Sequence, residues 1–350
     1  MGDRNDTRRV IASRRNLSRR GFIGASGAAA GVGAGLAAAS PLAAQAAMTS
    51  VGGKASGPFV LTTWDFGPGA NEEGWPIIAS GGSALDAVEK AINYVELLPD
   101  EYYVGYGGVP NEVGETTLDA TILWGATHDW GGVGCLKRVK RAISVARKVM
   151  EETQHTLIVG DDATRFARRM GFEETSLTSV RSQTRWEEWA ARGEPSDAFA
   201  PEPFEQDTLE GHDTVGTIAL DADGNLCVGC STNGREFKIP GRVGDSPIPG
   251  AGAYGDQDVG GAVATGNGDV MMRFLPCYHT VELMRQGMPP TLAAQTALKR
   301  ITDKGYKFGG GIAAIGVDGS HGGAQAGWDE AGFSYSVRDA NGNVKVPVSP

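Results

Sequence analysis

Gly211-His212-Asp213-Thr214-Val215-Gly216-Thr217-Ile218-Ala219-Leu220-Asp221-Ala222-Asp223-Gly224-Asn225-Leu226-Cys227-Val228-Gly229-Cys230 is the stretch from which the rest of the chain is read. Residues 214–220 predict a strand, 221–225 a turn and 226–230 the returning strand. Thr214 therefore opens a hairpin strand, a rigid platform for a reactive side chain. On local pattern alone, His212-Asp213-Thr214 is a loop entering that strand. Chemistry supplies another reading. A threonine hydroxyl is a poor nucleophile until a base takes its proton, and a free α-amino group, with a pKa of roughly 7.7 to 8.0, can be that base. Cutting the Asp213-Thr214 bond would create the hydroxyl and its base on one residue.

Downstream stand Ser231-Thr232-Asn233-Gly234, then Lys238-Ile239-Pro240-Gly241-Arg242-Val243-Gly244-Asp245-Ser246-Pro247, then Ala264-Thr265-Gly266-Asn267-Gly268-Asp269. Arg242 and Asp245 are opposite charges in a Gly/Pro-rich segment. A guanidinium fork suits a carboxylate and an aspartate suits an ammonium, so the pair could hold the charged groups of an amino acid. They could equally pair with each other at the surface, for about 0 to 1 kcal/mol; spacing alone leaves both open. Thr265 and the Gly266 N–H could stabilise an oxyanion, although Gly266-Asn267-Gly268 alone reads as a turn. Thr232 alone reads as a strand end, and Trp64 as core.

These motifs, joined by Thr63-Trp64, Ser80-Gly81-Gly82-Ser83-Ala84-Leu85-Asp86-Ala87, Gly105-Tyr106-Gly107-Gly108, Gly114-Glu115-Thr116-Thr117-Leu118-Asp119-Ala120 and residues 142–160, resemble the glycosylasparaginase family of the N-terminal-nucleophile hydrolases. The resemblance covers nearly everything after the N-terminal leader. It implies a four-layer αββα sandwich and self-cleavage at Asp213-Thr214, with Asp213 and His212 beside the cut. It also implies Thr214 as nucleophile, Thr232 as its orienting partner, Thr265 and Gly266 as oxyanion donors, and Arg242, Asp245, Gly266 and Trp64 around the substrate. The implied substrate is a small glycosylated asparagine, cut to aspartate and 1-amino-N-acetylglucosamine, and the implied assembly is a dimer of αβ heterodimers. An L-asparaginase or isoaspartyl peptidase of the same superfamily is the near alternative. A non-catalytic, secreted sugar-binding protein is the distant one.

Two further motifs are set aside. Gly250-Ala251-Gly252-Ala253-Tyr254-Gly255 matches a dinucleotide fingerprint, but Pro247 and Pro249 precede it and no helix is predicted after it, so it reads as a flexible loop. Cys227 and Cys230 sit three apart on a predicted strand and so face opposite sides, too far apart for a disulfide. The five histidines form no metal signature, and neither a cofactor nor a metal is expected.

At the N-terminus, Ser18-Arg19-Arg20-Gly21-Phe22-Ile23 precedes an Ala/Gly-rich stretch ending at Ala44-Gln45-Ala46. Residues 1–46 look like a twin-arginine export signal, implying a periplasmic or secreted protein with no membrane span after removal. The remaining chain holds 25 basic and 40 acidic residues, a balance that argues against nucleic acid or an anionic membrane as partner. Residues 47–213 are read as the α chain and 214–350 as the β chain of one domain, with 174–211 as a mobile linker. The α/β class follows from predicted strands at 58–62, 156–159 and 311–315 and predicted helices at 83–97, 136–151, 278–285 and 291–301. Leu136, Val139, Ile143, Ala146 and Met150 would share one helix face. The 52 glycines fit many tight turns.

Overall fold

The computed structural model describes residues 57–99, 101–193, 213–328 and 332–349. The leader 1–46, residues 194–211 of the linker, and His212 lie outside the described residues. Strands β1 (Phe59–Thr63), β2 (Thr117–Trp124), β3 (Asp129–Lys137), β4 (Leu157–Val159), β5 (Val215–Leu220) and β6 (Leu226–Thr232) belong to one sheet. With β11 (Phe333–Asp339) and β12 (Gly342–Val348) it has eight strands, ordered β12-β11-β1-β5-β6-β2-β3-β4. Strands β7 (Ala253–Asp256), β8 (Gly260–Gly266), β9 (Gly310–Gly316) and β10 (His321–Ala326) form a second sheet, ordered β10-β9-β8-β7. Apart from the parallel β3–β4 pair, neighbouring strands are antiparallel.

Helices α1 (Gly67–Ala79), α2 (Ala84–Glu96) and α3 (Ala142–Glu152) cover the outer face of the large sheet. Helices α7 (Pro276–Arg285) and α8 (Pro290–Thr302) cover the small one. The order is helix, sheet, sheet, helix, as the resemblance implied. Each interlayer space has its own core: Val88, Ile92 and Ile143 in the first, Phe59, Ile218 and Val228 between the sheets, and Val281, Leu298 and Ile312 in the third. Each such buried side chain contributes roughly 1.5–3 kcal/mol. Cys227 belongs to the first core and Cys230 to the second, so they do face opposite sides of β6.

The hairpin forms where the pattern puts it. Asp221 closes its turn, accepting from the Asp223 and Asn225 N–H groups at 3.1 and 2.9 Å, while its other oxygen accepts from Ala84 N–H at the start of α2. At the far end of α2, buried Glu96 accepts from Ser231 Oγ–H on β6 (2.6 Å) and from Ile143 N–H on α3 (2.9 Å). Burial pushes its carboxyl up to about 8. Helix and hairpin are thus tied together next to Thr232.

Three expectations need correction. The helix predicted at 136–151 begins only at Ala142: Leu136 lies in β3, which runs to Lys137, and Val139 lies in the loop that follows. Gly131 hides that strand, because a Cβ there would lie 2.0 Å from Ala146 O; β3 runs directly beneath α3. Left-handed backbone at Cys135 (φ 50°) and Arg138 (φ 56°) then turns the chain. Secondly, part of the linker is built structure. After α4 (Gly160–Arg169), helix α5 (Val180–Arg192) starts at a Ser179–Ser182 capping box and ends at left-handed Gly193. Trp189 of α5 stacks on Phe237 at 4.4 Å. Thirdly, the Gly250–Gly255 stretch is only partly loop, since β7 begins at Ala253.

Candidate active site

Thr214 is 5% exposed and immediately precedes β5. Its backbone is held by a neighbour from the other end of the chain: Thr63 Oγ1 donates to Thr214 O (2.9 Å) and accepts from Gly216 N–H (3.0 Å). Strand β1 lies beside β5, and this brings Thr63 there. Gly216 allows the sheets to close, because a Cβ on it would sit 2.5 Å from the Val263 Cβ of β8.

Thr232 ends β6. Its Oγ1 is within 3.1 Å of both Asp213 O and Tyr103 O and accepts from Gly234 N–H at 2.9 Å. The hydroxyl therefore has one proton to place on either carbonyl, and one of these belongs to the Asp213–Thr214 peptide. The Asp213 carboxyl is pushed up to about 7, first by burial and then by the charges of Glu101 and Asp65.

Thr265 and Gly266 end β8. Thr265 Oγ1 accepts from the Trp64 indole N–H at 2.9 Å, which leaves the hydroxyl proton free to be given elsewhere. Trp64 holds a left-handed backbone (φ 63°) and packs edge-on against Trp328 and Phe333. Gly266 has φ 112°, and a Cβ on it would come within 2.3 Å of Gly309 O, so glycine is required.

Arg242 and Asp245 lie on the remaining wall. No ion pair joins them; Arg242 pairs instead with Asp269 of α6 (Gly268–Met271), Nη2 to Oδ2 at 3.0 Å. Burial opposes the charge on Arg242, yet the carboxylates of Asp269, Asp119 and Asp245 together outweigh it and the pKa is raised. Asp245 is buried, and its Oδ2 has no hydrogen-bond partner among the described residues. Burial pushes its pKa up to about 7, against the pull of Arg242. Glycines fence this corner: a Cβ on Gly234 would meet Arg242 Nη1 at 2.6 Å, and one on Gly268 would meet Asp245 Oδ1 at 2.6 Å.

Asp213, Thr214, Thr232, Arg242, Asp245 and Gly266 thus line one narrow cleft, with Gly234, Arg235 and Gly268. Trp64 and Thr265 are not among the lining residues; they are joined by their mutual hydrogen bond, and Thr265 precedes Gly266 in the sequence. His212 lies outside the described residues. A wider surface hollow beside Met284, Met288 and Pro289 holds none of these residues. Thr63, Asp269 and the Tyr103 carbonyl were missed in the sequence. Asp269 was visible only as the end of Gly-Asn-Gly-Asp, and Thr63 only as the neighbour of Trp64. Chemically, the cleft offers an amino acid an arginine for its carboxylate, an aspartate for its ammonium, and hydroxyls aimed at a carbonyl.

A family model described as asparaginase matches residues 67–343. The N(4)-(beta-N-acetylglucosaminyl)-L-asparaginase of Rattus norvegicus is 46% identical over 289 residues, covering 76% of this chain and 84% of the relative. The Mus musculus protein of that name is 44% identical, covering 79% of this chain and 86% of its own. That of Elizabethkingia miricola is 40% identical, with 82% and 83% covered. With the family match spanning most of the sequence and these identities holding across most of each relative, the chain belongs to the asparaginase family.

Proposed function

We propose that this protein is a self-cleaving amidohydrolase that releases aspartate from asparagine carrying N-acetylglucosamine on its side-chain nitrogen. The names of the relatives supply the substrate. The observation that carries the mechanism is the Thr232 hydroxyl 3.1 Å from the carbonyl oxygen of the Asp213–Thr214 peptide. A donor there polarises the carbonyl that Thr214 Oγ1 must attack.

In the uncut chain Thr214 has no free amine, so the Asp213 carboxylate is the base at hand. Thr214 Oγ1 adds to the Asp213 carbonyl carbon, the C–N bond breaks, and the Thr214 nitrogen takes the proton. Water then hydrolyses the resulting ester, leaving residues up to Asp213 as one chain and Thr214 as a new N-terminus. Departure of Asp213 from the cleft wall opens room for substrate. Arg242 then holds the substrate's α-carboxylate and Asp245 its α-ammonium, which sets the side-chain amide before Thr214. The Thr214 amine takes the hydroxyl proton, and Oγ1 attacks the amide carbon. Thr265 Oγ1–H and Gly266 N–H receive the oxyanion. The amino-sugar leaves with a proton, and water frees aspartate from the Thr214 ester. Trp64 fixes Thr265 so that its proton points into the cleft.

Intact masses and N-terminal sequences of wild-type and Thr214→Ala protein test this directly. The wild type should give two chains, one beginning Thr214-Val215-Gly216, and the variant one chain. A folded but uncut wild type would overturn the mechanism and favour the sugar-binding reading. Arg242 and Asp245 suit a second reading equally, in which plain asparagine or a β-aspartyl peptide is the better substrate, because these carry the same α-carboxylate and α-ammonium. Relative release rates from glycosylasparagine and β-aspartyl dipeptides decide between them. Arg19-Arg20 and the stretch after them support export as part of the proposal; Arg19→Lys with Arg20→Lys should then retain the protein in the cytoplasm on cell fractionation. Assembly as a dimer of αβ heterodimers is tested by sedimentation of the cleaved protein.

A further inference from the structure

We propose that Asp269 is the positioning residue for Arg242, gripping its guanidinium side-on so that the end-on edge is the one offered to the substrate carboxylate. This deepens the functional reading above and rests on it. Arg242 Nε lies 3.2 Å from Asp269 Oδ1 and Nη2 lies 3.0 Å from Oδ2. A carboxylate spanning those two nitrogens uses the Nε–H and one Nη2–H. The hydrogens on Nη1 and the outer one on Nη2 remain, and together they make a second edge of the same fork shape.

The surroundings keep that second edge clear. A Cβ on Gly234 would sit 2.6 Å from Nη1, and one on Gly244 2.9 Å from it, so both positions are stripped of side chain where the edge lies. Gly234 is itself part of the cleft wall beside Thr232. The Arg242 side chain is 16% exposed and that of Asp269 40%, so the acid grips from the solvent side while the arginine reaches inward. An ungripped arginine side chain has many rotamers; one gripped side-on has its plane fixed.

Asp269 is well placed to act as a reference point. It follows Thr265-Gly266 by three residues, and the Asn267 side chain fixes the turn between them by accepting from Val270 N–H at 3.1 Å. One short piece of backbone therefore sets both the oxyanion donors and the guanidinium. The two ends of the bound amino acid, its side-chain carbonyl and its α-carboxylate, are registered against the same segment. Asp269 acts through Arg242 and does not itself meet the substrate.

Asp269→Asn removes the charge and keeps the shape. In self-cleaved protein, KM for glycosylasparagine and the inhibition constant for aspartate should both rise about tenfold while kcat changes by less than about twofold. In an Arg242→Lys background, which lacks the side-on edge, Asp269→Asn should weaken binding no further. Unchanged KM and aspartate inhibition would overturn the proposal, as would an equal loss in the Arg242→Lys background or a fall in kcat alone. Asp269→Ser serves for the same comparison if the Asn variant is not recovered as cleaved protein. If the wild type hydrolyses no glycosylasparagine, the functional reading fails by itself; calorimetric binding of aspartate to wild type and variant then decides the role of Asp269.

Discussion

Asp245 presents, in a buried position, a carboxyl oxygen with no hydrogen-bond partner among the described residues, and burial raises its pKa to about 7 although Arg242 pulls the other way. An ammonium ligand needs the ionised form. KM for the substrate should therefore rise as pH falls through about 7, and Asp245→Asn should remove that dependence while raising KM by about 100-fold, since a buried charged partner is lost. The effect on stability has the opposite sense. A carboxyl whose folded pKa lies above its unfolded value stabilises the fold fully below the unfolded pKa and loses that contribution as pH rises through the folded one. The charge is thus a burden at pH 8, and Asp245→Asn should be more stable there than wild type by on the order of 1–3 kcal/mol. Thermal melts at about pH 5.5 and about pH 8 check this. A variant no more stable than wild type at the higher pH would sink the buried-charge account.

Strand β5 carries Thr214 only as accurately as the sheets let it lie. A Cβ on Gly216 would be 2.5 Å from that of Val263, and Gly216 N–H shares the Thr63 hydroxyl with Thr214 O. Gly216→Ala should therefore destabilise the protein by about 1–3 kcal/mol, as overpacking does, and slow self-cleavage by about tenfold or more. Adding Val263→Ala makes room and should recover the cleavage rate; a double variant as slow as the single one would place the fault elsewhere. The β5–β6 hairpin was legible because a strand pattern flanks a Gly-Asn turn within a few residues. The candidate-site residues Thr214, Thr232, Arg242, Asp245, Thr265 and Gly266 were legible through short motifs around each and their resemblance. Thr63 and Asp269 were not, since their roles arise from contacts made across 151 and 27 residues. Glycine concealed β3 and part of β7, where a missing side chain serves close packing and leaves no alternation to read. The charged surface of α5 looked like linker, yet Trp189 docks on Phe237 and Arg185 forks onto Glu236, which also accepts from Tyr103 OH.

The large sheet interleaves the two sides of the proposed cut. Its order β12-β11-β1-β5-β6-β2-β3-β4 alternates strands from after residue 214 (β12, β11), before it (β1), after it (β5, β6) and before it (β2, β3, β4). Strand β1 is paired on both edges by strands of the later segment, and β2 pairs with β6 on one edge. The first core is shared as well, with Val88 and Ile143 from before the cut packed beside Val215 and Cys227 from after it. Breaking one peptide bond removes none of these contacts. Separating the segments would break three strand pairings, β11–β1, β1–β5 and β6–β2, and expose the apolar faces beneath them, each large side chain being worth roughly 1.5–3 kcal/mol. The cleaved segments should therefore elute together in size exclusion at any salt concentration and part only in denaturant, through a single cooperative transition. The segment 47–213 expressed alone should not fold, because β1 would have no partner on either side. A monomeric, soluble 47–213 fragment with native-like circular dichroism, or segments that separate in salt alone, would mean that the shared sheet is not what holds the molecule together.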